Sequence, residues 1–256
     1  MNNVWQYGNA GDRFPITRGD VWLAGAEWEH MMYCADVLEN TPAVRGFLNT
    51  APPDLFYIDP PWNQSKISGF YTKAGFREKR PPFKTFLNTL IRLLSEYDAD
   101  VWMEMGQENV DLLDALCTRY GGTRLRRIPI TYAHAKPCFL TGMRFGRAVT
   151  ENHLPSTAVR GLAQRCDGAD DEETPYTVLQ TYARHTTCAR VADLCIGRGL
   201  SARAAQQVDF ACSGVELHPR RLAHVLQFYA QCDYPIHNNG PLNSSRETHG
   251  STDEDL

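Results

Sequence analysis

The sequence predicts an α/β protein with a mostly parallel sheet that helices cover on both faces. Short apolar, β-branched or aromatic runs alternate along the chain with stretches whose apolar residues recur at helical spacing. This alternation is typical of parallel strands joined by crossover helices. The 256 residues suffice for one domain with a sizeable core. Hydrophobic residues make up 43% and charged residues 22%, a composition that excludes a disordered or fibrous chain.

The first half of the chain contains two clear strand patterns and two clear helix patterns. Residues 54–59, DLFYID, form an apolar run that ends at two prolines, so we predict a buried strand entering a turn. Residues 83–97 place apolar groups at helical spacing, and residues 98–106 predict the next strand. A helix is predicted over 109–122, where two glycines end it.

The second half of the chain continues the alternation. Residues 124–133 and 137–146 predict two strands, which we interpret as a hairpin. The remaining predicted elements are a helix at 174–185, a strand at 191–197 that runs into a glycine loop, a helix at 200–208, a strand at 210–217 and a helix at 219–231.

Two segments lack a periodic pattern. Residues 147–174 turn acidic and are predicted to be a connection, and residues 236–256 are predicted to be a polar, disordered tail. We therefore predict a single domain over residues 1–235.

Composition also limits the classes of function. No apolar run reaches the roughly 18 residues that a membrane span needs, and the N-terminus lacks the pattern of a signal peptide. A soluble, cytoplasmic protein without membrane contact is expected. The eight cysteines include no CxxC pair and no zinc-ligand spacing, so we expect buried thiols and no metal site. The net charge of −4 hides a basic cluster at residues 73–84.

The first motif with chemical meaning is Asp59-Pro60-Pro61-Trp62, directly after the strand at 54–59. An exocyclic amino group on adenine or cytosine is a poor nucleophile, because its lone pair is delocalised into the ring. A carboxylate from Asp59 and a backbone carbonyl from Pro60 could accept its two hydrogens and favour the developing charge. Pro61 helps to fix the turn, and Trp62 could stack on an extruded base.

This tetrad resembles the DPP(W/Y) catalytic motif of the DNA and RNA amino-methyltransferases. The resemblance implies a Rossmann-like methyltransferase fold, S-adenosyl-L-methionine as cofactor and base flipping into the site. The aspartate at position 59 favours N6 of adenine over N4 of cytosine by the habit of the family.

The second motif is the strand, glycine loop and helix start that begin at Asp193. The GxG of Gly197 and Gly199 is a weak signal alone, because many such loops are only turns. Glu216 strengthens it, because an acid at the end of the next strand, about 20 residues on, typically binds ribose hydroxyls.

This second segment resembles the DPFxGxGT cofactor motif of the same family. Asp193, Gly197 and Gly199 match that motif, whereas Leu194, Cys195 and Leu200 depart from it. Residues 18–25 resemble a GD-containing stretch of the family, and residues 174–187 resemble the helix that closes over the methionine moiety. The resemblance therefore implies the cofactor-binding set Asp20, Pro175, Asp193, Cys195, Gly197, Gly199 and Glu216.

The catalytic motif precedes the cofactor motif, which is the circularly permuted order of the β class of DNA amino-methyltransferases. This order favours DNA over RNA, and double-stranded DNA is the expected partner. Three alternatives stay open: an N4-cytosine DNA methyltransferase, an RNA adenine methyltransferase, and a non-catalytic DNA-binding protein that keeps the fold. A role in restriction and modification, in bacterial regulation or in a phage is equally open.

The best candidate for DNA contact is the segment 63–84, interpreted as a loop. It is basic and aromatic, which suits phosphate contact and base stacking. The predicted contact residues are Tyr71, Lys73, Arg77, Lys79 and Arg80. A chain of this length has little room for a large recognition domain, so a homodimer or a separate recognition subunit also stays open.

Overall fold

One nine-stranded sheet organises the part of the chain that the computed structural model describes, namely residues 10–76, 78–131, 138–146, 150–170 and 172–242. The strands in chain order are β1 Asp20–Ala24, β2 His30–Cys34, β3 Leu55–Ile58, β4 Asp100–Gly106, β5 Thr123–Ile130, β6 Cys138–Arg144, β7 Arg190–Asp193, β8 Ala211–Glu216 and β9 Ile236–Pro241.

The spatial order of the strands is β5-β6-β4-β3-β7-β8-β2-β1-β9. The five central strands, β4, β3, β7, β8 and β2, are mutually parallel. β6 and β1 flank them in the antiparallel sense, and β5 and β9 pair antiparallel to those two. Seven of the nine strands, the central five plus β5 and β9, therefore run in one direction. This confirms the predicted mostly parallel sheet.

Helices cover both faces of the sheet, as predicted. They are α1 Ala10–Arg13, α2 Thr41–Thr50, α3 Gln64–Lys73, α4 Phe83–Leu94, α5 Val110–Arg119, α6 Ser156–Cys166, α7 Glu173–His185, α8 Leu200–Gln207 and α9 Pro219–Gln231. One core contains buried residues of α2 to α5, and the other contains buried residues of α1 and of α6 to α9. Among the described residues, no helix is long and apolar enough to cross a membrane.

The two-residue period of β3 explains why this strand is apolar throughout. Leu55 and Tyr57 belong to one core, whereas Phe56 and Ile58 belong to the other. Because helices cover both faces, every side chain of β3 is buried, and no polar position is needed. The apolar run that predicted this strand therefore reports its central place in the sheet.

A buried ion pair ties β4 to β6 and to α7. Asp100 accepts hydrogen bonds from Arg144 Nε at 2.6 Å and from Tyr182 Oη at 2.7 Å. The Leu154 amide donates to the same carboxylate at 3.0 Å. Trp102 Nε1 donates to Tyr182 at 2.8 Å, so the tyrosine is held from both sides. This network fixes α7 against the sheet, and α7 forms one wall of the candidate site.

The structure corrects two predictions about segments without a clear period. Residues 63–84, interpreted as a loop, contain α3, because the Asn63 side chain accepts a hydrogen bond from the Lys66 amide at 3.0 Å and caps the helix. Residues 147–174, interpreted as a connection, contain α6, whose buried face includes Val159 and Leu162.

The predicted disordered tail is also partly wrong. Residues 236–241 form β9, which pairs with β1 at the edge of the sheet. Its sequence reads as polar because an edge strand leaves most of its side chains exposed. The sheet thus extends beyond the predicted domain boundary at residue 235, while residues 243–256 lie outside the described part of the chain.

The predicted hairpin is confirmed. β5 and β6 are antiparallel, with Ile130 opposite Cys138. The residues that join them, 132–137, lie outside the described part of the chain.

Candidate active site

The two predicted motifs meet at the carboxyl edge of the sheet. β3 and β7 are neighbouring parallel strands, with Phe56 opposite Ala192. The turn after β3 and the loop after β7 therefore open into the same space, a cavity of about 670 Å³. Ligand sites of open α/β sheets lie at this edge.

Nine of the predicted catalytic and cofactor residues line this cavity. They are Asp59, Pro60, Pro61, Trp62, Pro175, Asp193, Cys195, Gly197 and Glu216. Residues that are far apart in the sequence thus converge because their strands end at the same edge. Pro175 lies in α7, so the helix predicted to close the site does form one of its walls.

The Asp59 to Trp62 turn is held by side-chain hydrogen bonds. Trp62 Nε1 donates to Asp59 Oδ1 at 3.0 Å, which orients the carboxylate. Asn109 Nδ2 donates to the Trp62 carbonyl at 2.7 Å from the start of α5. Asp59 itself is exposed. The turn therefore presents an oriented carboxylate at an accessible place in the cavity.

Asp193 organises the glycine loop from beneath. The carboxylate is 4% exposed, and it accepts hydrogen bonds from the Cys195 amide at 2.9 Å and from Ser201 Oγ at 2.6 Å. Burial raises the pKa of Asp193 to about 7, with Asp59 and Glu216 adding to the rise and the two hydrogen bonds opposing it. Asp193 therefore shapes the loop, and its charge is sensitive to whatever occupies the cavity.

Glu216 joins the end of β8 to the same loop. Its Oε2 accepts a hydrogen bond from the Gly197 amide at 2.9 Å, and its Oε1 accepts one from the His218 amide at 2.8 Å. Gly197 has φ +53, in the left-handed region. Burial raises the pKa of Glu216. This acid lines the cavity, as predicted, and it also fixes the loop.

Cys195 lines the cavity as a neutral thiol. Burial raises its pKa well above the ordinary value, and the carboxylates of Asp193, Glu216, Asp59 and Asp36 raise it further. Because the thiolate is the nucleophile of cysteine chemistry, this side chain is a wall of the cavity and not a reactive group.

Gly199 does not have the predicted role. It is absent from the residues that line the cavity, and a Cβ added to it would lie 3.1 Å from Val225 Cγ2 of α9. Its φ of +80 lets the chain turn into α8. Glycine is therefore needed here for backbone conformation and for helix packing.

The structure also corrects the prediction that Asp20 binds the cofactor. It lies at the start of β1, where its carboxylate accepts hydrogen bonds from the amide and the hydroxyl of Thr17, both at 2.8 Å. It does not line the cavity. The Gly19-Asp20 pair that carries the resemblance in residues 18–25 thus lies at a turn that the Asp20 side chain stabilises.

The residue that sequence reasoning missed is Asp36, just beyond β2. Asp36 is 3% exposed, and its Oδ1 accepts hydrogen bonds from Tyr71 Oη at 2.8 Å and from the Leu38 amide at 2.9 Å. Its Oδ2 is buried and has no hydrogen-bond partner in the described part of the chain. Burial raises the pKa of this carboxyl. An acid directly after an apolar strand, as with Asp59, was the available signal.

The structure corrects the prediction that Tyr71 contacts DNA. It is 4% exposed and lines the cavity beside Asp36, so its ring is not available on the surface to stack on a base. Burial raises the pKa of its hydroxyl, and Asp36 raises it further. The tyrosine is therefore a neutral hydrogen-bond donor in the cavity wall.

The predicted basic contacts separate into different environments. Lys73 is exposed and lines the cavity. Lys79 forms an ion pair with Glu39 and does not line the cavity. Arg80 is exposed outside the cavity, and Arg77 lies outside the described residues.

A further acid, Glu104, lines the cavity from β4. Tyr57 Oη donates a hydrogen bond to Glu104 Oε1, and both side chains are buried. In the register of β3 and β4, Ile58 is opposite Met103, so Asp59 and Glu104 follow at neighbouring positions. Together with Asp36, Asp193 and Glu216, Glu104 lines the interior of the cavity with buried carboxyl groups, which carry negative charge when they ionise.

Such an interior suits a cationic organic ligand, because the carboxyl groups of the cavity are desolvated and close together and a cation favours their ionised forms. In the described residues, no group of three or more His, Cys, Asp or Glu side chains could hold a metal ion. The buried part of the cavity offers a ligand carboxyl groups as hydrogen-bond acceptors and the backbone of the glycine loop.

No protein-family model matches the chain, and none of the curated proteins matches it either. Solved structures do resemble it. TTHA0409 of Thermus thermophilus, assigned as a DNA modification methylase, is 16% identical, with a TM-score of 0.52 over 73% of this chain and 91% of that chain.

A second structure of TTHA0409, complexed with S-adenosyl-L-methionine, is 17% identical, with a TM-score of 0.50 over 73% of this chain and 90% of that one. M1.HpyAVI is 11% identical, with a TM-score of 0.51 over 78% of this chain and 98% of that chain. The chain shares the methyltransferase-type α/β fold of these proteins.

Proposed function

We propose that this protein is an S-adenosyl-L-methionine-dependent DNA methyltransferase that acts on N6 of adenine. The observation that carries the proposal is the convergence of the Asp59-Pro60-Pro61-Trp62 turn and the glycine loop from Asp193 to Arg198 on one cavity. Either motif alone has a structural explanation. A purely structural role for each motif does not explain why both lie at the same carboxyl edge of neighbouring strands, whereas a shared active site does.

The chemistry that we assign to the turn is activation of an amino group. Asp59 and the carbonyl of Pro60 accept the two amino hydrogens, which draws the nitrogen lone pair out of the ring. Trp62 holds the carboxylate through its indole N–H, so the acceptor is oriented before the base arrives. A preorganised acceptor costs no rearrangement during the reaction.

The cofactor fits the residues of the cavity. S-adenosyl-L-methionine would supply an electrophilic methyl group on a cationic sulfur. The buried acids favour such a cation over a neutral ligand. Glu216 and the unpartnered Oδ2 of Asp36 can accept hydrogen bonds from hydroxyl or amino groups of the cofactor. The complex of TTHA0409 with the same cofactor supports this assignment, because the two chains share a fold.

Departures from the family motif do not argue for a non-catalytic protein. Leu194 is buried in the core and Cys195 lines the cavity, while the hydrogen bonds of Asp193 and Glu216 keep the loop in place. Adenine remains the preferred base because of Asp59, and DNA remains the preferred polymer because of the permuted motif order.

The test is methyl transfer from labelled cofactor to adenine in duplex DNA, combined with calorimetric measurement of cofactor binding. Asp59→Ala should lower transfer by orders of magnitude and leave cofactor affinity nearly unchanged, because its contact is with the base. Asp36→Asn is the matched variant. It should weaken cofactor binding about tenfold, the scale of one hydrogen bond to a charged group.

Analysis of the methylated nucleoside identifies the base. N4-methylcytosine as the product would overturn the adenine assignment. Near-normal transfer by Asp59→Ala would overturn the role of the turn, and wild-type protein that binds no cofactor in the presence of DNA would overturn the enzyme assignment.

A further inference from the structure

Basic side chains surround the acidic interior of the cavity. Lys66, Lys73, Arg198 and Arg221 all line it. The two lysines are exposed and the two arginines are partly exposed, whereas Asp36, Glu104, Asp193 and Glu216 are buried. The cavity thus has a negative interior and a positive rim, which we define as these four basic residues.

One wall of the rim is a single face of α3. Lys66, Phe70 and Lys73 are spaced by four and three residues, so they lie on the same side of the helix. Their shared presence in the cavity lining agrees with that geometry. The backbone positions of Lys66 and Lys73 are therefore about 10 Å apart along the helix axis, which is longer than one small anion.

The two arginines come from other elements, Arg198 from the loop after β7 and Arg221 from α9. The guanidinium of Arg221, in the first turn of α9, lies over the Phe70 ring at 4.3 Å from its centroid and so bridges to α3. Burial lowers the pKa of Arg221, Glu216 acts in the opposite direction, and the cation of Arg198 lowers it further. Arg198 and Asp59 both act on the charge of Arg221, so the two arginines and the acids belong to the same part of the cavity.

We propose that the rim binds phosphate groups of a DNA strand that crosses the mouth of the cavity. Lysines on α3 contact the strand together with Arg198 of the loop after β7 and Arg221 of α9. This inference rests on the proposed function and names its substrate contacts. It replaces the earlier expectation for Lys79, whose ammonium group is in an ion pair with Glu39.

A polyanion fits the rim better than the single carboxylate of a cofactor does. Four cations from α3, α9 and the loop after β7 present more positive charge, over a longer distance, than one carboxylate can neutralise. Arginine forms bidentate hydrogen bonds to phosphate, and lysine contributes point charges along a backbone. The buried acids also separate the ligand charges, because they attract a cation to the interior and leave anions to the rim.

The experiment compares two double variants with wild-type protein: Lys66→Gln with Lys73→Gln, and Arg198→Gln with Arg221→Gln. Affinity for a fluorescent duplex is measured across a salt series, and cofactor affinity is measured by calorimetry without DNA. Each lost phosphate contact should lower the log–log salt slope by roughly 0.9, so each double variant should lose about two units. Cofactor affinity should stay within about threefold of wild type, since the buried acids are retained.

The control removes two charges elsewhere, through Arg92→Gln in α4 and Arg160→Gln in α6. Both residues are exposed and neither lines the cavity, so the salt slope of this variant should equal that of wild type.

Slopes equal to wild type in both rim variants would overturn the inference. A fall of more than tenfold in cofactor affinity for the arginine variant, with an unchanged slope, would assign that pair to the cofactor and overturn it as well. These outcomes leave the proposed function standing if wild-type protein still methylates DNA. Absence of wild-type transfer is a failure of the proposed function itself.

Discussion

Asp193 is a buried carboxylate whose ionisation should make the stability of the protein depend on pH. Burial raises its pKa from 3.8 to about 7 in the folded protein. The folded protein therefore holds the proton more tightly than the unfolded chain does. The stabilisation from this group is complete below the unfolded pKa and is lost as the pH rises to about 7. Asp193→Asn, which stays neutral, should not lose it.

The magnitude follows from the size of the pKa shift. A change from 3.8 to about 7 corresponds to roughly 4 kcal/mol at about 1.36 kcal/mol for each unit. Asparagine can still accept from the Cys195 amide and donate to Ser201, so the loop geometry should survive. We therefore expect Asp193→Asn to gain stability over wild type as the pH rises, up to roughly 4 kcal/mol at pH 8.

The assay is urea unfolding of the cofactor-free protein at several values between pH 5 and pH 8. Ser201→Ala removes a hydrogen bond that lowers the pKa of Asp193, so this variant should lose stability with rising pH more steeply than wild type. Asp111→Asn, at an exposed position of α5, controls for the change in net charge. Parallel stability curves for wild type and Asp193→Asn would refute the reasoning, because they would mean that Asp193 does not titrate in this range.

Two further predictions concern backbone conformation and a buried histidine. Gly199→Ala should destabilise the protein by about 1–2 kcal/mol, because φ is +80 and Val225 lies 3.1 Å from the added Cβ. Urea unfolding measures this loss of stability. Calorimetry should show that the variant changes cofactor affinity far less than Asp36→Asn does. Burial lowers the pKa of His30 to about 4, so stability should fall as the pH drops from about 6.5 to 4, since the unfolded chain takes up the proton first. His30→Gln can keep an acceptor for the Cys212 amide and should flatten that acid slope, and an unchanged slope would assign it to other groups.

The features predicted best from the sequence are those that the sheet itself imposes. The strand at Leu55–Ile58 is apolar on both faces because helices cover both faces. The acids after β3, in β7 and in β8 are exceptions within or beside apolar runs, so they marked the edge where a ligand can bind. Parallel neighbouring strands place such exceptions together without any further information.

The predictions that were wrong concern features that depend on tertiary contacts, which the sequence of one chain does not reveal. α6 has its buried face defined by packing against β5 and α7, and its apolar residues alone were too few to signal a helix. β9 reads as polar because, among the described residues, it is an edge strand that pairs with β1 alone. Asp20 and Asp36 both accompany apolar runs, and only the direction of the strand decides which acid faces the cavity. β1 is antiparallel to β2, and Asp36 follows the carboxyl end of β2.

The acids of the cavity have an energetic consequence that links fold to function. Burial raises the pKa of Asp36, of Asp193 and of Glu216, which means that their ionised forms destabilise the ligand-free protein. A bound cation would favour those ionised forms, and part of its binding energy would recover the lost stability. The affinity for a cationic cofactor should therefore rise with pH toward the pKa of Asp193, in the same range where the ligand-free protein loses stability. Stability and cofactor affinity are then two measurements of one ionisation, and Asp193→Asn should remove much of the pH dependence of both.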